Sequence, residues 1–201
     1  MTRRTRVAGV FVVAVLVSVL VPVFAAQAQT ATFSEINDAV RSRNFDAART
    51  RPDPLNPNRL VIGFSSGFDP QTFKYRGFTA STSAFFLPSA VDTISFVVDA
   101  PEGFYIAKLT YSQTGTGWGA RGGTAAGSTQ WVVDGHALHI ATSSTNPTVR
   151  STADFTGQFL TTIPVSITAN LFVFAPPLVG FATAAITSAN VVVELLPLPT
   201  P

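Results

Sequence analysis

From Tyr105 to Ser112 the side chains alternate in character: Tyr105, Ala107, Leu109 and Tyr111 fall on one set of positions, Lys108, Thr110 and Ser112 on the other. Ile94, Phe96 and Val98 alternate in the same way with Thr93 and Ser95. A period of two sends each set to one side of an extended backbone, which a helix cannot do. A strand with one apolar face needs a second layer to cover it. This requirement constrains the chain more than any other feature of the sequence.

Similar short runs follow one another: Arg59–Phe64, Phe73–Ser81, Gln130–Ile140, Ile163–Phe174, Gly180–Ser188 and Asn190–Pro197. Turn signals separate them. Ala100-Pro101-Glu102-Gly103 suits a turn, and Asp134-Gly135 suits the two-residue hairpin that needs positive φ. The expected class is therefore all-β, an antiparallel two-sheet β-sandwich of jelly-roll or Ig-like type over residues 59–197. Residues 113–128 carry six of the fourteen glycines and are expected to form a long loop. Residues 31–51 hold the helical-looking material, with Asp38/Arg41 and Asp46/Arg49 at i,i+3 and Asn44 as a cap, and are expected to form a short surface helix or an irregular lead-in. Arg51–Asn58, with three prolines, is expected to link that segment (29–58) to the domain, and 198–201 form a tail.

The N-terminus is expected to be no part of the fold. Arg3, Arg4 and Arg6 precede an apolar stretch from Val7 to Phe24, and Ala26-Gln27-Ala28 gives a small-x-small cleavage pattern. Residues 1–28 thus form a secretory signal peptide with Gln29 as the new N-terminus, an uncleaved anchor being the competing reading. No second apolar run is long enough to span a bilayer, so no membrane association is expected after cleavage. The chain has thirteen basic and eleven acidic residues, but three of the arginines lie in the leader, leaving ten against eleven, a net charge of −1. The basic isoelectric point belongs to the leader, and no nucleic-acid partner is expected. Absent cysteine excludes disulfides, thiolate metal sites, a cysteine nucleophile and a lipoprotein anchor.

Gly63-Phe64-Ser65-Ser66-Gly67 spells the G-x-S-x-G of a nucleophile elbow. An elbow needs a helix after the serine, and Phe68-Asp69-Pro70-Gln71 opens an extended stretch instead. Ser65 is therefore expected in a turn between strands, and a serine hydrolase is the remote alternative. His136 and His139, three apart in one strand, point to opposite sides and cannot jointly chelate an ion. Neither a metal site, a cofactor nor a catalytic residue is expected. Gly117-Trp118-Gly119-Ala120-Arg121 lacks the helix and Lys-Ser/Thr of a phosphate loop. Trp118 with Tyr111 and Arg121 suits glycan binding better, Trp118 stacking on sugar rings, unless it folds back over the sheet edge.

The stretch Ser95–Gly119, the Trp131 hairpin and the closing runs 163–174 and 180–195 resemble exported bacterial β-sandwich proteins with PEP-CTERM or similar choice-of-anchor sorting tails. That resemblance implies a surface or biofilm-matrix protein without assigned catalysis. The end, Leu195-Leu196-Pro197-Leu198-Pro199-Thr200-Pro201, has no Pro-Glu-Pro, apolar span or basic tail, so anchoring by that route is not expected. The expected function is a non-catalytic exported structural or adhesive protein of the cell surface or extracellular matrix. The alternative is a carbohydrate-binding module. Its expected partners are itself, by edge-strand pairing through residues 73–81, or surface glycans.

Overall fold

The computed structural model describes residues 29–38, 44–65, 67–69, 74–76, 78–82, 89–120, 123–142, 148–174 and 181–200; the expected leader lies outside them. The described residues form thirteen strands: β1 Thr32–Asp38, β2 Arg51–Asp53, β3 Asn56–Val61, β4 Gly67–Asp69, β5 Lys74–Arg76, β6 Phe78–Thr82, β7 Ser89–Asp99, β8 Phe104–Ala120, β9 Thr124–Val133, β10 His136–Thr142, β11 Thr148–Asp154, β12 Thr162–Phe174 and β13 Phe181–Pro197. A single 3₁₀ turn, Ala47–Arg49, is the only helical element among the described residues. The protein is all-β, as the alternation requires.

One sheet has the order β1-β7-β12-β9-β10 and the other β11-β8-β13-β3-β2, with β6 also paired to β13; β4 and β5 form a separate ribbon. All pairings are antiparallel. The sheets pack face to face because the long strands β7, β12 and β13 and most of β8 bury alternate residues. In β12, Ile163, Val165, Ile167, Ala169, Leu171 and Val173 are buried, while Thr162, Pro164, Phe172 and Phe174 face outward. They meet Leu109, Tyr111, Ala184, Ile186, Val191 and Val193 of the second sheet in one cluster. Fully burying one such aliphatic or aromatic side chain contributes about 1.5–3 kcal/mol.

The hairpin at Asp134-Gly135 forms with both residues at positive φ, 48° and 77°. Val133 faces His136, Trp131 faces Leu138 and Gln130 faces His139. The turn after β7 also forms, with the Phe104 N–H donating to Pro101 O at 3.1 Å and Gly103 at φ 81°.

Three expectations are corrected. Residues 113–128 are not a loop: β8 runs on to Ala120 and β9 begins at Thr124. Gly115, Gly117 and Gly119 lie opposite Ile186, Ala184 and Ala182 of β13. A ladder bonds backbone to backbone, so glycine joins it despite its low strand propensity when the neighbouring strand is fixed. Residues 32–38 form a strand, not a helix, with Phe33 edge-on to Phe96 at 6.3 Å. The Asp46/Arg49 pair does form, at 3.1 Å, but in one 3₁₀ turn capped by Asp46 and not by Asn44. Such a pair stabilises by only a few tenths of a kcal/mol and cannot nucleate a longer helix.

The third correction concerns the division at residue 58. Ala31 and Phe45 belong to the same core as Trp131 and Ile167, and β2 and β3 extend the second sheet. Buried Asp92 on β7 fastens this strap: its Oδ2 accepts the Asn44 and Phe45 N–H groups, each at 3.0 Å.

Gly63 completes the strap. Its N–H donates to Thr50 Oγ1 at 2.9 Å, and its carbonyl accepts from the Asp46 N–H at 3.0 Å. A Cβ on Gly63 would lie 2.5 Å from the Arg49 backbone carbonyl carbon and 2.7 Å from the Thr50 nitrogen. Backbone cannot swing aside as a side chain can, so overpacking here costs about 1–3 kcal/mol or more. Gly63→Ala is expected to lower the unfolding free energy by that amount, read from a lowered urea midpoint at unchanged slope, and Gly135→Ala to cost less. Equal midpoints for Gly63→Ala and the parent protein would show that the strap does not approach so closely.

Candidate functional site

Ser65 follows Phe64, whose ring stacks on Phe45 at 5.7 Å. The Ser65 N–H donates to Asn44 O at 2.8 Å. After it the chain enters β4 at Gly67, an extended strand. The strand–turn–helix that exposes a nucleophile and points helix amides at an oxyanion is not what this segment builds. Its first glycine has a packing reason already described, the contact with Arg49 and Thr50.

His136 and His139 are both exposed on β10, the edge of the first sheet. His136 lines a trough of about 360 Å³ with Leu138, Thr152, Asp154 and Phe155, where the edges β10 and β11 of the two sheets run side by side. Hydrogen bonds from Thr156, through its side chain and then its backbone N–H, hold the Asp154 carboxyl below its ordinary range. Among the described residues no group of three His, Asp or Glu side chains is placed to hold a metal ion.

Of the three residues expected to bind a glycan, the two that the structure describes both lie in a strand and not in a loop. Trp118 lies within β8, opposite Thr183 of β13. Arg121 lies outside the described residues. Tyr111 is corrected outright: it is fully buried, its ring 5.8 Å from that of Trp131 on the opposite sheet. The parity that sets Tyr111 beside Leu109 sends both inward, so the alternation itself was the signal against an exposed role. Around it lies a polar seam inside the core. The Tyr111 hydroxyl donates to Gln113 Oε1 at 2.8 Å, and the Thr129 hydroxyl to the same oxygen at 2.6 Å. Gln113 Nε2 and Trp131 Nε1 are buried beside this seam with no acceptor.

The outer face of the second sheet holds the residues that the sequence did not single out. Its rows follow from the register: Arg150, Ser112 and Asn190 in one, Thr152, Thr110, Val192 and Arg59 in the next. Asn56, Arg59, Thr110, Ser112, Arg150, Asn190 and Val192 line a shallow trough of about 360 Å³. Two arginines from opposite sides of the sheet thus flank hydroxyl and amide groups. No sequence signal marks this pairing, since Arg59 and Arg150 are 91 positions apart and only the strand order unites them.

No family model and no curated protein matches this chain. Its function is therefore argued from these surfaces alone. A third trough, about 300 Å³, lies on the outer face of the first sheet among Glu35, Asn37, Ser95, Pro164 and Ser166. It has an acid and no cation, the reverse of the arginine face.

Burial pushes the Tyr111 phenol well above its ordinary value, with a hydrogen bond to Thr129 opposing the shift. The folded protein keeps this proton where the unfolded chain releases it, near pH ~10. Its contribution to stability is full below that pH and is lost as pH rises above it, by about 1.4 kcal/mol per pH unit. Urea midpoints compared at pH 8 and pH 11 are expected to fall for the parent and to fall less for Tyr111→Phe. Identical slopes for the two proteins would show that the phenol is not held neutral in the core.

Proposed function

We propose that this protein is a non-catalytic, exported structural or adhesive domain of the cell surface or extracellular matrix. One observation supports this reading best: the outward side chains of both sheets form ordered polar arrays over a core that needs nothing from them. Thr93 and Thr168 bond across strands at 2.9 Å on the first sheet, and Thr110 and Thr152 at 3.0 Å on the second. Thr162 donates to Asp99 Oδ1 at 2.8 Å, and Ser34 to Asp99 Oδ2 at 3.2 Å. Hydroxyls arrayed across a sheet offer many weak contacts to hydrated polymers without positioning any one group for a reaction.

The finer fold reading is Ig-like. β8 lies beside β11 and β9 beside β12, with both the β8–β9 and β11–β12 connections crossing between sheets. The B/E and C/F pairs of immunoglobulin sandwiches are arranged in this way. The first and last strands of that unit exchange places here, β7 lying beside β12 and β13 beside β8.

Edge strands supply a route to self-assembly. β6, within the stretch expected to be an edge, pairs with β13 alone among the described strands. Its other side presents backbone donors and acceptors that a second copy can use.

Two measurements test the proposal. Mass spectrometry of the protein after cell fractionation is expected to find it outside the inner membrane, beginning at Gln29; retention in the cytoplasm with residues 1–28 intact would sink the exported reading. Size-exclusion chromatography with light scattering is expected to show mass rising with concentration. A strict monomer throughout would remove edge pairing while leaving export untouched.

A further inference from the structure

We infer that the outer face of the second sheet is a binding surface for an acidic polysaccharide, with Arg59 and Arg150 engaging separate carboxylates of one glycan chain. The inference rests on the exported, adhesive reading for its setting, and it names the ligand class and the residues.

The charge arrangement is the first support. Neither Asp nor Glu lines this trough, although it holds two arginines. Arg59 contacts Asp53 only through Nη1, at a long 3.6 Å, and its Nε is buried with no acceptor. That guanidinium is not satisfied by the fork-on-fork pairing that arginine and carboxylate otherwise form. Arg150 is exposed on the edge strand β11, and no acidic side chain among the described residues pairs with it. Lys108 has a partner in Glu194 at 3.8 Å, as Arg59 has in Asp53, so the unpaired cation of this face among the described residues is Arg150.

The spacing is the second support. Arg150 and Arg59 stand on β11 and β3, with β8 and β13 between them. Three strand spacings set their backbones about 14 Å apart, so the two side chains enter the trough from its two sides. Between them lie Thr110, Ser112 and Asn190, with Asn56 beside Arg59 on β3, donors and acceptors matched to sugar hydroxyls. The described lining residues include no aromatic on which a base could stack. Two separated cations over a hydroxyl floor suit a polymer of moderate charge density, and a polyuronate has that chemistry.

The test uses the purified protein and isothermal titration calorimetry with polygalacturonate, dextran of matched length, and sodium sulfate, at low and at high salt. Polygalacturonate is expected to bind at low salt and weaken as salt rises, and dextran to show no heat. Arg150→Gln and Arg59→Gln are each expected to weaken binding about tenfold, the scale of one charge-assisted hydrogen bond. Arg59→Lys, which keeps the charge and loses the fork, is expected to fall between. Arg150 is exposed on an edge strand, so Arg150→Gln keeps the fold, and unchanged near-ultraviolet circular dichroism verifies this. The inference is overturned by no polygalacturonate binding, by equal binding of dextran, or by an unaltered affinity in the double variant. Sulfate displacing the polymer at equal charge would also overturn it, reducing the face to a small-anion site. Failure here leaves export to the fractionation experiment, so the two readings fall separately.

Discussion

The contact between Tyr111 and Trp131 across the two sheets is the centre on which the rest of this structure depends. Both rings are fully buried, and the residues next inward along their strands, Gln113 and Thr129, are joined by a hydrogen bond of 2.6 Å. Apolar packing alone tolerates slippage, because one buried aliphatic residue replaces another at modest cost. A buried amide is less forgiving. Moving β8 against β9 by two residues would break the bond between Thr129 and Gln113 and leave the buried Thr129 hydroxyl without its acceptor, at about 1–3 kcal/mol for the orphaned group. The seam thus fixes how the sheets face each other, and it does so from inside.

That internal definition has a consequence for the surface. Once alternation has sent the apolar residues of β7, β8, β12 and β13 inward, the outward positions are released from any folding requirement. Threonine, serine and asparagine occupy many of them, forming short hydroxyl ladders on both sheets. The N-terminal strap is held differently, by Asp92 accepting two backbone N–H groups and by the close approach of Gly63 to Arg49 and Thr50. Here backbone hydrogen bonds and a missing Cβ replace hydrophobic area. The strap consequently depends on two residues whose side chains are small or polar, and neither stands out by hydrophobicity.

Legibility followed locality. The Asp134-Gly135 hairpin and its pairing could be read because the turn sets the register of the strands it joins, and turn and strands are neighbours in sequence. The alternation in β7 and β8 likewise declared its own buried face. The glycine-rich stretch 113–128 misled, because glycine signals flexibility in an isolated chain. Its participation in a ladder depends on β13, some 65 positions later. The helical pattern in 31–51 failed for a related reason: weak charge pairs are outcompeted when β7 offers an unpaired edge to β1.

By itself the sequence determined the class of this protein, since a two-residue period can be satisfied only by strands with a covered face. It also determined the charge balance, the absence of covalent staples, and that Tyr111 shares the face of Leu109. Only the tertiary structure decided which strands lie side by side, and hence that Arg59 and Arg150 flank one polar trough while Tyr111 and Trp131 meet inside. The reason is physical. Facing direction is a property of a single strand, written in its own alternation, whereas strand order results from competition among all the edges of the folding chain for the same backbone partners.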